Sequence, residues 1–150
     1  MRRKQARTCL IVAMVVVAVA TGCGLVGQET AVEAVRLSGV GGRVDAVVIE
    51  ASAGATTTYS YRVYLVAAGT AATGDPVVTV VGGQRSPVAY GVDLEWTGAD
   101  AITVSYWQAD SVSPSRRALD VRIGGDHVAV TVVAGIENRS APPGMMESPS

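Results

Sequence analysis

From about Arg43 to Ala134 the chain alternates short runs rich in valine, threonine and tyrosine with breaks of glycine, aspartate or proline. That punctuation belongs to β-strands joined by tight turns. Strands are predicted at Val44–Ala51, Thr57–Ala67, Pro76–Val81, Val88–Trp96, Ala101–Gln108, Arg117–Ile123 and Val128–Ala134. Breaks fall at Ser52-Ala53-Gly54, Gly69 to Asp75, Gly82-Gly83, Gly98-Ala99-Asp100 and Gly124-Gly125-Asp126. Period-two alternation assigns the faces. Val92, Leu94 and Trp96 share one side and Asp93 and Glu95 the other; Tyr59, Tyr61, Val63 and Leu65 oppose Ser60, Arg62 and Tyr64; Ile102, Val104 and Tyr106 repeat the scheme and place Trp107 opposite. Val128–Val133 is apolar at both parities, which suits a central strand. No segment of helical length has a 3.6-residue period. The fold class predicted is therefore all-β: a single small antiparallel β-sandwich or partial barrel, built as a meander of short connections.

The first residues carry a different pattern. Arg2, Arg3, Lys4 and Arg7 precede an unbroken apolar run from Leu10 to Ala20, the arrangement of an export signal. A helical run of that length covers roughly 17 Å, short of the ~30 Å hydrocarbon core, so a signal h-region fits better than a spanning helix. The alternative is an uncleaved anchor counted from Thr8 to Gly27. Ala20-Thr21-Gly22-Cys23 closes the run and resembles the lipobox of bacterial lipoproteins, with Ala20 where that family most often has leucine. The resemblance implies cleavage between Gly22 and Cys23 by signal peptidase II, thioether lipidation of Cys23 and acylation of the new amine. Cys9 precedes the apolar run and leaves with the signal.

This organisation divides the chain into a signal peptide (1–22), a lipidated cysteine and tether (23–37), a β domain (38–137) and a disordered tail (138–150). Within the tether, Ala31–Val35 has the composition of a brief helix or a first strand. The tail is polar and proline-rich, with too little apolar periodicity to bury. With Cys9 removed and Cys23 lipidated, no thiol remains for a disulfide, so the domain must stand on its core alone. From Cys23 onward eight arginines face thirteen acidic residues, a net charge of −5 that the full chain's −1 conceals. An acidic surface repels phosphate backbones, which argues against nucleic-acid binding and assigns membrane attachment to the lipid.

Candidate chemistry is sparse. Asp93 and Glu95, at i and i+2 on one strand, are spaced about 6.5 Å apart along the chain, compatible with an acid and base pair but equally with two solvated outward residues. His127, the single histidine, follows a Gly-Gly-Asp turn with no nucleophile signature beside it. Zinc lacks a ligand set, and Asp100, Asp110, Asp120 and Asp126 lack calcium-loop spacing, so no metal or cofactor is expected. Gly39-Val40-Gly41-Gly42 precedes no helix that could hold a phosphate. Gly82-Gly83-Gln84, which spells a peptide-release tripeptide, is what glycine-rich composition generates by chance.

The segment Gly54-Ala55-Thr56-Thr57-Thr58-Tyr59-Ser60-Tyr61-Arg62-Val63-Tyr64-Leu65, together with Leu94-Glu95-Trp96 and Ala101–Tyr106, resembles a loose set of small bacterial envelope proteins of unknown function. Where this chain has Ala53, those often carry a cysteine. The resemblance brings no activity with it. Physically, the threonine hydroxyls suit bonds to backbone at a strand entry, with Tyr59 and Tyr61 in the core. Alternatively Thr56, Thr57, Arg62 and Tyr64 form an exposed recognition surface. The functional expectation is a lipid-anchored, periplasm-facing envelope protein, at the outer membrane where one exists, whose β domain is a non-enzymatic binding or structural module with an envelope protein as partner. The alternative is an inhibitor or immunity lipoprotein that blocks a hydrolase or toxin with a loop such as Gly69–Asp75.

Overall fold

The structure, a computed structural model, describes residues 29–39, 41–54, 57–83 and 91–137. The signal segment with Gly22 and Cys23, the tail from 138, and Thr56 lie outside them. Nine strands are present: β1 (Thr30–Ser38), β2 (Val44–Ser52), β3 (Ser60–Ala67), β4 (Val78–Val81), β5 (Asp93–Trp96), β6 (Ala101–Tyr106), β7 (Ser111–Ser113), β8 (Ala118–Ile123) and β9 (Asp126–Ala134). They form a five-stranded sheet in the order β1-β2-β3-β4-β7 and a four-stranded sheet in the order β5-β6-β9-β8. One core cluster joins the inner faces: Ala46, Val48, Tyr61, Val63, Leu65, Val78 and Val80 meet Val92, Leu94, Ile102, Val104, Val128, Val130 and Val132. Two facing sheets that share a dry core make this a sandwich, which settles the choice against a partial barrel.

Three features depart from the sequence reading. First, the folded body begins inside the segment assigned to the tether, where Ala31–Val35 proves to be part of a first strand and not a helix: β1 pairs antiparallel with β2 along its length, from Thr30 opposite Ser52 to Ser38 opposite Asp45. Ala34, Val35 and Leu37 pack on the core, and that burial is what orders the strand. A register shift between Glu33 and Val35 marks a bulge, which returns Glu33 and Arg36 to one face despite their odd spacing. Their ion pair, with Arg36 Nε donating to Glu33 Oε1 at 2.8 Å, follows from it.

Second, the chain does not simply meander. After β6 it crosses to the other sheet, adds the three-residue β7 to the edge of β4, returns as β8, and enters β9 parallel to β6, with Ala101 opposite Ala129 and Tyr106 opposite Ala134. A parallel pair needs a long crossover, and residues 107–125 supply it. β9 is central as its composition suggests, but only Val128, Val130 and Val132 are buried, while Ala129 and Thr131 face outward and are exposed.

Third, the outer face of the larger sheet is partly dry. Val47, Tyr64 and Val66 form a second small cluster, with Ile49 and with Ala72 from the β3–β4 loop folded over it. Tyr64 is only 8% exposed, so it is not part of an exposed recognition surface: alternation set its face correctly, but a loop covers that face. Strand parity likewise carries two acids indoors, Asp45 on the outer face and Glu50 on the inner face directly opposite Tyr61.

Candidate functional site

The sandwich has two unlike ends. At one, the β1–β2, β5–β6 and β8–β9 turns and the base of the β3–β4 loop converge. Gly41 and Gly42 take positive φ there (102° and 65°), which glycine adopts without the Cβ penalty. Arg43 binds Asp126 across the two sheets with its Nη2 2.7 Å from Oδ1, and the pairing raises the pKa of Arg43 and lowers that of Asp126. Trp96 Nε1 donates to the Leu37 carbonyl at 3.3 Å, so the indole is half-buried rather than enclosed. The cleft between Gly39, Arg43, Trp96, Asp100, Asp126 and His127 holds only about 40 Å³.

Asp45 ties the same end together. Its carboxylate accepts from Arg36 Nη1, Ser38 Oγ and the Gly69 amide, each at 2.9 Å, so one side chain holds β1, β2 and the loop after β3. The Gly69 amide first, and then Arg36 and Ser38, hold its pKa below the ordinary carboxylate value. Arg36 also draws down Glu33.

At the opposite end the sheets part. A groove of about 330 Å³ opens between Tyr106, Val132 and Ala134 on the inner face of the smaller sheet and Asp110, Val112 and Pro114 beside the larger one, with Arg116 and Arg117 also lining it. At the same end of the larger sheet, where Tyr61 pairs with Val80 and Val80 with Val112, the Tyr61 ring is fully buried. A Cβ at Gly91 would lie 2.6 Å from that ring and one at Gly83 2.9 Å from it, so both positions require glycine for the ring to fit. Just past the ends of β6 and β9 lie Trp107, 39% exposed, and Ile136, 48% exposed, the large hydrophobic side chains left open among the described residues.

The sequence candidates fall outside this groove. Thr57 is exposed and makes a turn, its Oγ1 donating to the Gly54 carbonyl at 2.7 Å. Arg62 is half-buried and ion-paired with Glu29. Thr57, Arg62 and Tyr64 therefore do not form one surface. Glu95 is exposed, and Asp93 accepts the neighbouring Leu94 amide at 3.0 Å. His127 sits opposite Arg122 on β8; its Nε2 accepts from Arg122 Nη2 at 2.9 Å and, with the proton on Nδ1, it donates to Asp120 at 3.3 Å. Both ring nitrogens are engaged by this exposed ladder of side chains. Among the described residues no group of three or more His, Cys, Asp or Glu could hold a metal ion.

Sequence reasoning missed the groove and its arginines. Arg116-Arg117 is visible as a basic pair, but nothing in the pattern shows that the chain crosses between sheets there. Comparison with protein-family models, curated proteins and solved structures finds no match for this chain.

Proposed function

We propose that this chain is a lipid-anchored, periplasm-facing envelope protein whose β-sandwich is a non-enzymatic binding or structural module. The observation that carries the reading is the basic start, the short apolar run and Cys23, followed seven positions later by Thr30, the first residue of the folded sheet. A small disulfide-free body held close behind a lipidated cysteine suits a tethered module. More than one acyl chain gives stable anchoring where one gives only marginal binding. Wild-type protein should incorporate labelled fatty acid and sediment with membranes. The Cys23→Ser variant should remain an unlipidated precursor that signal peptidase II does not cut; incorporation of label by the variant, or cleavage at the same bond, overturns the assignment.

The non-enzymatic part has its own test. Combining Asp93→Asn, Glu95→Gln and His127→Gln should leave a deletion phenotype fully complemented, whereas loss of a general acid or base typically costs about 10²- to 10⁴-fold in rate. A folded, correctly localised triple variant that fails to complement overturns this part.

The inhibitor reading draws support from the Gly69–Asp75 loop. Its base is fixed by Asp45 to the Gly69 amide and by Thr70 Oγ1 to the Ala67 carbonyl at 2.7 Å, while Ala71, Thr73, Gly74 and Asp75 are exposed. Replacing 71–74 by serines and glycines should abolish any inhibition of a target hydrolase without unfolding the sandwich.

A further inference from the structure

Strand registers fix which features share an end. Thr30 lies opposite Ser52, Ser60 opposite Val81 and Val81 opposite Ser111, so the chain enters the sandwich at the end where β4 stops and β7 starts. Asp110 donates its amide to the Val81 carbonyl, and the Gly135 and Ile136 amides bond the Trp107 and Tyr106 carbonyls. The groove, Trp107 and Ile136 therefore belong to the end at which Thr30 emerges. From Cys23 to Thr30 the chain spans at most about 25 Å in any conformation, so on the anchored reading above this end stays near the bilayer.

Its chemistry matches that position. Arg36, Arg43, Arg62 and Arg122 are each engaged by a carboxylate or by His127. Arg116 and Arg117 are exposed, and neither guanidinium has a hydrogen-bond or ionic partner among the described residues. Asp110 lines the same groove; Asp93, opposite Ser105, and Glu137, beside Ile136, are further acids at this end, each engaged in an interaction of its own, and Glu29, at the chain's entry, is neutralised by Arg62. The far end carries Asp75, Asp100 and Asp126, with Arg43 already paired to the last. An exposed indole, an aliphatic side chain and arginines at one end of a body are groups that settle at a membrane–water interface, and anionic headgroups attract arginines over about a Debye length.

We propose that the groove end of the sandwich rests on the anionic lipid surface to which the chain is tethered, with Trp107 and Ile136 at the interface and Arg116 and Arg117 against headgroups. The turn end then points away from the membrane and is the face presented to other envelope components. The reading rests on the lipid anchor proposed above.

The test uses the full lipidated protein reconstituted into phosphatidylcholine vesicles with and without phosphatidylglycerol. The chain has two tryptophans, so Trp96→Phe leaves Trp107 as the reporter and Trp107→Phe leaves Trp96. On anionic vesicles Trp107 should be quenched by acyl-chain-brominated lipid and shielded from aqueous acrylamide, while Trp96 should respond to neither change. Arg116→Ser with Arg117→Ser should abolish the brominated-lipid quenching while the protein still floats with the vesicles. Should Trp96→Phe not fold, the difference between wild type and Trp107→Phe gives the same signal.

Floating protein whose Trp107 stays open to acrylamide and blind to brominated lipid overturns the proposal and leaves the anchor standing. Equal quenching with and without phosphatidylglycerol overturns the role of the arginines. Protein that carries no lipid on Cys23 and does not float overturns the anchor, and the orientation with it.

Discussion

The two ends of the sandwich are closed by different physics. At the turn end polar groups do the joining: Arg43 reaches across to Asp126, Trp96 bonds the Leu37 carbonyl, and Asp45 collects three donors from β1 and the loop after β3. At the groove end the sheets separate, and the buried Tyr61 ring is wedged against two glycines. The first end is satisfied internally and leaves little room for a ligand. The second leaves two guanidiniums, an indole and an isoleucine without a described protein partner to cover them. A surface whose groups are already paired gains little by contact, which is why the proposed membrane contact is placed at the other end.

Several substitutions can break or sharpen this contrast. The largest effect should come from Tyr61→Ala, which removes a fully buried core ring at that end and should cost about 3 to 5 kcal/mol by loss of buried area and creation of a cavity. Urea unfolding measures it, and a loss below about 1 kcal/mol would show that the groove end does not depend on that ring.

Next comes Asp45→Asn, which keeps the shape and removes the charge that two donors share through Oδ2. Hydrogen bonds to charged groups are worth about 1.5 to 3 kcal/mol, and a loss of that size is expected at neutral pH. Because folding lowers the Asp45 pKa, its contribution is present above the ordinary carboxylate value of 3.8 and fades as pH falls through the lower folded value. Wild type should therefore lose its advantage over Asp45→Asn progressively below pH 3.8. A gap that stays constant through that range, followed by thermal melts, would assign the effect to packing instead.

At the turn end, Gly39→Ala introduces a Cβ 2.9 Å from the Val44 carbonyl oxygen and 3.0 Å from the Trp96 ring. Overpacking of this kind costs about 1 to 3 kcal/mol, and Trp96 emission should shift red as the indole is displaced toward water. An unchanged spectrum with unchanged stability would mean the turn end is looser than its hydrogen bonds indicate.

The smallest changes belong to the groove rim. Trp107→Ser, Arg116→Ser and Arg117→Ser should each shift stability by no more than about 0.5 kcal/mol, as exposed substitutions do. In protein free of vesicles, acrylamide should reach Trp107 more readily than Trp96. Equal quenching would remove the distinction between the two indoles.

Much of the architecture was legible from alternation. Val92, Leu94, Ile102 and Val104 face the core as their parity requires, Trp107 is on the open side, and seven predicted strands have counterparts, though Thr57–Tyr59 and Pro76–Val77 fall outside the strands and Val88–Tyr90 of the predicted Val88–Trp96 strand lies outside the described residues. Glu50 lies indoors in step with Ala46 and Val48, a burial that its charge argued against and the sequence reading did not assign. The candidate site was much less legible. Thr57, Arg62 and Tyr64 lie close in sequence, yet a turn, an ion pair and a covering loop separate their fates.

The reason lies in the range over which each signal acts. A strand's period and its turn residues are local, so this sequence determined by itself that the chain is all-β, which residues face inward, and where Cys23 stands relative to the apolar run. Which sheet a strand joins depends on pairings between distant segments. Only the tertiary structure put β7 on the edge of β4, laid β9 parallel to β6, drew β1 out of the expected tether, and so opened a groove between Tyr106 and Arg117. Three residues of β7 carry too little pattern to announce their partner, because their place is decided by the edge they complete and not by their own alternation.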